Sequence, residues 1–344
     1  MSNSDSDKMK CRIIVDAMGG DFAPFNAVVG AIRASEENSG IELYLVGRSE
    51  EILKVISTNN LSFNKDNIIQ ADEVIDMAAQ PTTSLKAKPN SSIVVGTRLI
   101  REKKADAFVS AGNTGAVMAA STLIMGRIPG VGRPTIGQAM PNETGISTLF
   151  DVGASVDSKP KHLLEYALMG TIFTKEIYGI DNPKVGILSV GEEESKGNEV
   201  TVAAAALIKK TNLNFVGNVE GRDILKGTVH VVVCDGFVGN IIIKFGESVL
   251  DFLKYKFKDY AGKGFMNKIK IGIVKNSMKE ILKDFDYQEY GGVPLLGVNG
   301  ISIIGHGSST PKAIKNMVFR AYEMHQKNLI VKIENSIKQY SYLT

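Results

Sequence analysis

Val109-Ser110-Ala111-Gly112-Asn113-Thr114-Gly115-Ala116 is the stretch whose reading decides the fold. It follows an apolar run at 105–109 that reads as a buried strand, and it opens a helix expected over 116–125. Ser110, Asn113 and Thr114 offer side-chain oxygens, while Gly112 and Gly115 leave backbone amides uncovered. A helix N-terminus behind exposed amides suits a phosphate or another anion. An ordinary capped turn has the same composition, because any strand-to-helix turn favours Gly, Asn and Thr. The weight of the stretch comes from the recurrence of similar turns along the chain.

Working outward, 11–16 is a first strand, followed by the tight turn Ala17-Met18-Gly19-Gly20-Asp21. Pro24 opens a helix through 34, the position where a missing N–H costs nothing. A strand at 41–46, a helix capped by Ser49 to about 57 and a short strand at 67–70 come next. Pro81 and Pro89 make 79–90 read as an irregular surface loop with the character of a lid, and 91–103 as an amphipathic helix. On the other side, 129–134 is a linker, and strands at 135–140 and 148–152 join through hairpin chemistry at 141–145. Helices at 159–177 and 199–209 alternate with strands at 184–190, 215–219 and 229–234. Helices fill 240–287, then come a glycine-rich loop at 290–300, a strand at 302–304 and one long helix from Pro311. Such alternation predicts an α/β fold with a largely parallel sheet flanked by helices on both faces.

The 344 residues, 44% hydrophobic and 22% charged, can bury a large core, read as a single domain over 11–344. The polar stretch 1–10 lacks the apolar core of a signal peptide and reads as a disordered leader of a cytoplasmic protein. No apolar run is long enough to span a bilayer. Cys11 and Cys234 make a poor disulfide framework and read as buried thiols. The four histidines have no metal-ligand spacing with them, so neither a metal nor a cofactor is expected. The net charge of +3 hides an asymmetry: 251–284 carries nine lysines against four acidic residues, leaving about −2 for the rest. Basic charge confined to one segment argues against a nucleic-acid surface.

Polar, glycine-flanked strand ends recur: Asp16 with Gly19, Gly20 and Asp21; Ser110 with Asn113 and Thr114; Asp151 with Gly153; Glu193 with Ser195 and Lys196; Glu220 with Asp223; and Asp235 with Asn240. Gly305-His306-Gly307-Ser308-Ser309-Thr310 is a further one. Ligands of open α/β sheets bind outside the carboxyl ends of the strands, so these loops are expected to share one cleft. There is no Gly-x-Ser-x-Gly elbow, no Walker loop and no Gly-x-Gly-x-x-Gly after the first strand. What remains is a site rich in glycine, hydroxyl and amide, with Lys196 and His306 as cationic or proton-carrying groups. It suits binding a phosphate and a carbonyl together without a covalent enzyme intermediate.

The second feature is a basic amphipathic helical hairpin at 245–287. Phe257, Phe265, Met266, Ile269 and Ile273 recur at roughly helical spacing among Lys258, Lys268 and other lysines. The plain reading is a hairpin packed on a partner subunit with its lysines solvated. The functional one sets apolar side chains into the acyl boundary and lysines on anionic headgroups of a membrane surface, or on an acidic carrier protein.

Ile14-Val15-Asp16-Ala17-Met18-Gly19-Gly20-Asp21, Ser110-Ala111-Gly112-Asn113-Thr114-Gly115-Ala116, Asp151-Val152-Gly153-Ala154, Asn218-Val219-Glu220-Gly221-Arg222-Asp223 and Asp235-Gly236-Phe237-Val238-Gly239-Asn240 resemble, in order and spacing, the bacterial phosphate acyltransferases of phospholipid synthesis. The resemblance runs from about Lys10 to the final helix and is specific as a set. It implies a reaction in which acyl-[acyl-carrier-protein] and inorganic phosphate give acyl phosphate and free acyl carrier protein. It also implies a fold akin to phosphotransacetylase and the isocitrate and isopropylmalate dehydrogenases, and a homodimer associated peripherally with the inner face of the membrane. A membrane glycerol-3-phosphate acyltransferase would take the product. From loop placement, Ser110, Gly112, Asn113, Thr114 and Gly115 with Lys196 are expected to hold phosphate, and His306 and Ser308 to polarise the carbonyl or settle the leaving sulfur. Asp16, Glu220, Asp235 and Asn240 would position these groups, with Gly19, Gly20, Asp21 and Glu193 lining the site. A phosphotransacetylase using coenzyme A thioesters, a decarboxylating dehydrogenase and a non-catalytic membrane scaffold are the alternatives.

Overall fold

The computed structural model describes residues 10–285 and 287–343. The expected leader therefore falls outside the described residues for 1–9. β1 (Cys11–Asp16) leads into α1 (Phe25–Glu37), β2 (Ile41–Gly47), α2 (Ser49–Thr58) and the short β3 (Ile68–Gln70). α3 (Pro81–Ala87) and α4 (Ser92–Arg101) precede β4 (Ala107–Ser110) and α5 (Thr114–Ala120), which runs on as a π turn over Ser121–Met125. β5 (Thr135–Asn142) and β6 (Gly145–Phe150) form the expected hairpin. α6 (Pro160–Tyr178), β7 (Lys184–Leu188), α7 (Glu199–Ile208), β8 (Asn214–Val219), α8 (Gly221–Lys226) and β9 (Val231–Val233) follow. The long pair α9 (Gly236–Gly262) and α10 (Phe265–Ile281) precedes β10 (Val293–Leu296), β11 (Ile301–Ile304), α11 (Pro311–Gln326) and α12 (Leu329–Gln339).

The strands form one 11-stranded sheet in the order β3-β2-β1-β4-β11-β10-β5-β6-β9-β7-β8. Apolar runs at its centre alternate between two cores. Ile13 and Val15 of β1 face one, Ile14 the other; Val231 and Val233 of β9 face one, Val232 the other. This period of two is what a strand covered on both faces requires. α1, α6, α11 and α12 supply the first core, and α4, α5, α8 and α9 the second.

Strand direction decides where the polar loops go. β3, β2, β1, β4 and β11 are parallel. β10 is antiparallel to β11 and to β5, and β5 is antiparallel to β6. β9, β7 and β8 are parallel to β6. The half of the sheet from β6 to β8 therefore runs opposite to β1, β4 and β11. This corrects the expectation that all the polar strand ends share one edge. Asp16, Ser110 and the 305–310 loop end strands at a first edge. Asp151, Glu193, Glu220 and Asp235 end strands of opposite sense, at a second edge.

Four local expectations are also corrected. The lid-like loop at 79–90 contains α3, because Pro81 sits at N1, where its fixed φ starts a helix, and Leu85 is buried. Ser49 is the first helical residue of α2, with Arg48 at the cap and no side-chain cap bond. The 290–300 loop holds β10. The long last helix is two helices, broken where Asn328 adopts φ 51°.

Candidate active site

At the first edge the chemistry is organised by a buried carboxylate. Asp16 is 1% exposed. Ser110 Oγ donates to its Oδ2 at 2.7 Å, and the Met18 N–H to its Oδ1 at 3.0 Å. The Gly112 N–H donates back to Ser110 Oγ at 3.0 Å, so the central turn is tied to the end of β1. Burial raises the Asp16 pKa, and the hydrogen bonds from Ser92, Ser110, Met18 and Gly19 offset that rise. Gly19 is obligatory for this closeness: a Cβ there would lie 2.6 Å from the Gly112 nitrogen and 2.7 Å from Asp16 Oδ2.

Asn113 caps α5 by accepting the Ala116 N–H at 2.9 Å. Its amide donates to the carbonyls of Asp76, Met77 and Ala79, which fixes the segment before α3 over the turn. The Asp21 N–H donates to the Gly307 carbonyl at 2.8 Å, and the Gly305 N–H to the Ser110 carbonyl at 2.8 Å. Those two bonds draw the loops after β1, β4 and β11 together. Within the last of them, His306 Nδ1 lies 2.7 Å from Ser308 Oγ and accepts the Ser308 N–H at 3.2 Å. Accepting at Nδ1 puts the proton of a neutral ring on Nε2, a donor on an exposed side chain. Asp16, Gly19, Gly20, Asp21, Ser110, Gly112, His306 and Ser308 thus lie on three loops that these bonds tie together, and Asn113 follows in the central turn. Thr114 and Gly115 follow in the first turn of α5, with Thr114 exposed.

The remaining predicted residues follow strands of the second half of the sheet. Asp235 caps α9 by accepting the Val238 N–H at 3.0 Å. Glu220 caps α8: its own N–H donates to Asp223 at 2.8 Å, and its carboxylate pairs with Arg222 at 2.9 Å. Asn240 lies beside Gly153. The backbone carbonyls of Glu193 and Lys196 accept from Asn218, and both side chains are exposed. Lys196 lies on the loop after β7, with its side chain exposed.

The second edge has its own buried carboxylate. Asp151 is fully buried and accepts from Ile136 N at 3.0 Å, Thr135 Oγ1 at 3.2 Å, Ala154 N at 3.2 Å and Ser155 N at 2.7 Å. Its pKa is raised by burial against these donors. A groove between α5 and this loop, with a volume of 310 Å³, includes Arg127, to which the sequence reading gives no role, and Arg133, which it places in the 129–134 linker. Their signal was two arginines in a Pro/Gly-rich connector that has no acidic residue. Both cysteines are buried, and burial pushes the Cys11 thiol up to about 12 and the Cys234 thiol well above its ordinary value. One trio, Cys11, Asp106 and His325, brings ligand-type atoms within 4.8 Å, but the Asp106 carboxylate is already held by the Arg12 guanidinium at 2.8 Å.

Along α9 and α10, Phe265, Met266 and Ile273 are exposed by 77%, 63% and 75%, with Ile269, Lys258 and Lys268 also exposed. Phe257 is half-buried instead. Among the described residues, no helix is long and apolar enough to cross a membrane.

The largely parallel, helix-flanked sheet has the α/β fold of the phosphotransacetylases. A phosphotransacetylase from Streptococcus pyogenes superposes with a TM-score of 0.62 at 19% identity, covering 91% of this chain and 94% of its own. One from Staphylococcus aureus gives 0.59 at 16% identity, covering 92% and 94%. The family described as "Fatty acid synthesis protein" matches residues 11–332. The phosphate acyltransferase of Pelotomaculum thermopropionicum is 48% identical over 95% of both chains, and that of Halothermothrix orenii 44% identical over 95% of this chain and 99% of its own. The chain belongs to the phosphate acyltransferase family, and it is an acyltransferase.

Proposed function

We propose that the chain moves a fatty acyl group from the thioester of acyl carrier protein onto inorganic phosphate, with the reaction centred on the first-edge network. Acyl transfer to phosphate in lipid synthesis follows from family membership. The observation that carries the placement is the His306–Ser308 pair held beside the Asp16–Ser110–Gly112 turn.

A phosphate oxygen attacks the thioester carbonyl carbon, the C–O bond forms, the C–S bond breaks, and the proton lost by phosphate ends on the released thiol. The site needs to align the two reactants and to stabilise the oxyanion. Backbone amides at the start of α5, with Thr114, hold phosphate, and the buried Ser110 fixes the turn that presents them. His306 Nε2–H donates to the carbonyl oxygen or to the departing sulfur, and Ser308 keeps the ring in the tautomer that can do so. Asp16 positions Ser110. A thiolate is a good leaving group, so strong general-acid help is not required.

The exposed apolar residues of α9 and α10 support two further parts of this reading. Two copies of the chain pair through these helices. The tip around Phe265 and Met266, with Lys258 and Lys268, rests on an anionic membrane surface, where acyl phosphate passes to a membrane glycerol-3-phosphate acyltransferase.

Purified protein is incubated with palmitoyl-carrier protein, with and without phosphate, and acyl phosphate is trapped as its hydroxamate. Phosphate-dependent hydroxamate together with free carrier thiol is the expected result. Release from an acyl-coenzyme A alone would replace the carrier donor with a coenzyme A donor, and no phosphate-dependent release from either would overturn the reading.

A further inference from the structure

The groove at the second edge lies where the two halves of the sheet meet. Met118 and Thr122 come from α5 and its π turn, Arg127 and Arg133 from the connector, Ala154 from the loop after β6, and Leu295 from β10. Both guanidinium groups are exposed, and no acidic side chain is among the lining residues. We propose that this groove is a binding site for a phosphate group, held by Arg127 and Arg133. This rests on the acyl-transfer reading, and it adds a site that lies off the first-edge network.

The backbone under the two arginines is fixed. The Ile128 N–H donates to the Gly297 carbonyl at 3.0 Å and the Asn299 N–H to the Gly126 carbonyl at 2.8 Å, which pins Arg127 to the turn between β10 and β11. Arg133 Nη1 donates to Ser155 Oγ at 2.5 Å, in the loop organised by Asp151. Arg127 donates to the Gly132 carbonyl. Two planar, permanently charged forks on a pinned connector match the geometry of phosphate oxygens.

A second observation is independent of the arginines. Glu165 Oε2 accepts the Gly132 N–H at 2.9 Å and the Arg133 N–H at 3.4 Å, while Oε1 is buried without a hydrogen-bond partner. That orphan oxygen lies 3.2 Å from where a Cβ on Gly132 would stand, directly behind the groove wall. Burial pushes the Glu165 carboxyl up, towards its neutral form. Its Oε2 holds the Gly132 and Arg133 amides, so the carboxyl sets the backbone that carries Arg133 into the groove.

Two components of the reaction carry such a group: inorganic phosphate and the phosphodiester of the carrier protein's prosthetic arm. α5 relates them in space. From Thr114, beside the first-edge network, to Thr122 in the groove is about 12 Å at 1.5 Å per residue. A phosphodiester anchored in the groove leaves the arm free to present its thioester at His306. Inorganic phosphate bound there would instead bring the chemistry to the groove.

The test compares the wild-type protein with Arg127→Gln and with the double variant Arg127→Gln/Arg133→Gln. Michaelis constants are measured for inorganic phosphate, for palmitoyl-carrier protein and for a palmitoyl N-acetylcysteamine thioester, which has no phosphate. Equilibrium dialysis of radiolabelled inorganic phosphate is run on the same proteins without any acyl donor. A rise of tenfold or more in the carrier constant, with the short thioester and phosphate unaffected, supports the proposal with the prosthetic arm as ligand. A comparable rise in the phosphate constant, matched by weaker dialysis binding, supports it with inorganic phosphate as ligand. Constants and binding all within twofold of wild type overturn it. If the wild type itself lacks phosphate-dependent turnover, the acyl-transfer reading fails instead. Dialysis still decides for or against inorganic phosphate in the groove, and an isolated carrier-protein titration decides for the arm. Arg127→Gln touches only the connector, so it keeps the test decisive if loss of Arg133 loosens the Ser155 loop.

Discussion

Asp16 and Asp151 are both buried carboxylates at the carboxyl end of a central strand, yet they build different things. Asp16 accepts from two hydroxyls, Ser92 and Ser110, and from the Met18 and Gly19 amides of its own turn, and what it arranges is an open set of loops carrying an exposed imidazole. Asp151 accepts three backbone N–H groups and a threonine hydroxyl, and what it arranges is the wall of a groove. Backbone donors cannot turn round, whereas a hydroxyl can. The same residue type in the same topological place is thus a rigid structural anchor at one edge and an adjustable part of a reactive site at the other.

The largest expected effect breaks the comparison if it fails. Asp151→Asn puts an NH₂ against fixed N–H donors in a dry site, and we expect a loss of about 3 kcal/mol in urea unfolding. A loss below about 1 kcal/mol would mean that the loop rearranges freely, contrary to its bonding.

Second comes pH, which also reads the second-edge wall. His162 is buried beneath Gly132, and its pKa is lowered to about 4 by burial and by the nearby charges of Arg133, Lys161 and Lys159. A histidine whose folded pKa is depressed binds fewer protons folded than unfolded. Its contribution is present above pH ~6.5 and is lost as pH falls towards 4, by at most about 3 kcal/mol. Denaturant titrations between pH 7 and pH 4 should show this slope, flattened in His162→Gln; equal slopes would remove His162 as the cause.

At the first edge, His306→Gln should lower kcat by about 10- to 100-fold with little change in the phosphate Michaelis constant, the pattern of a group that acts on the developing charge. An unchanged kcat would take His306 out of the reaction.

The contrast between the edges also explains what the sequence could and could not disclose. β1, β4 and their glycine turns were legible because short apolar runs end in Gly, Asn and Asp over a few residues. The sense of the second half was not, because it depends on β10, four residues holding Pro294 and flanked by Gly292 and Gly297, which reads as loop. Its pairing with β5 and β11 is made across the chain and leaves no local periodicity. The loop of Lys196 is legible as a strand end, whereas the sense of its strand is not. α3 was hidden by prolines that read as breakers although Pro81 is a helix start. Arg127 and Arg133 lie in a connector, where spacing gives no clue that α5 and the loop after β6 close around them.

The smallest expected effect sharpens the comparison most. In Asp16→Asn the side-chain carbonyl can still accept backbone N–H of its own turn, from Met18 and Gly19, and the amide can donate to the Ser110 and Ser92 hydroxyls once these rotate. Folding stability should then fall by only about 1 kcal/mol, well under the cost at Asp151. Ser110 would no longer be fixed as a donor to a carboxylate, while Gly112 N–H can still donate to it. The reversal changes the hydrogen-bonding sense of the turn without moving the His306 loop, which is tied separately through Gly305 and Gly307. The phosphate Michaelis constant should therefore rise severalfold while kcat stays within about threefold. Equal losses of stability in Asp16→Asn and Asp151→Asn would erase the distinction between an adjustable and a rigid carboxylate. A selective effect on phosphate would tie the adjustable one to the acceptor.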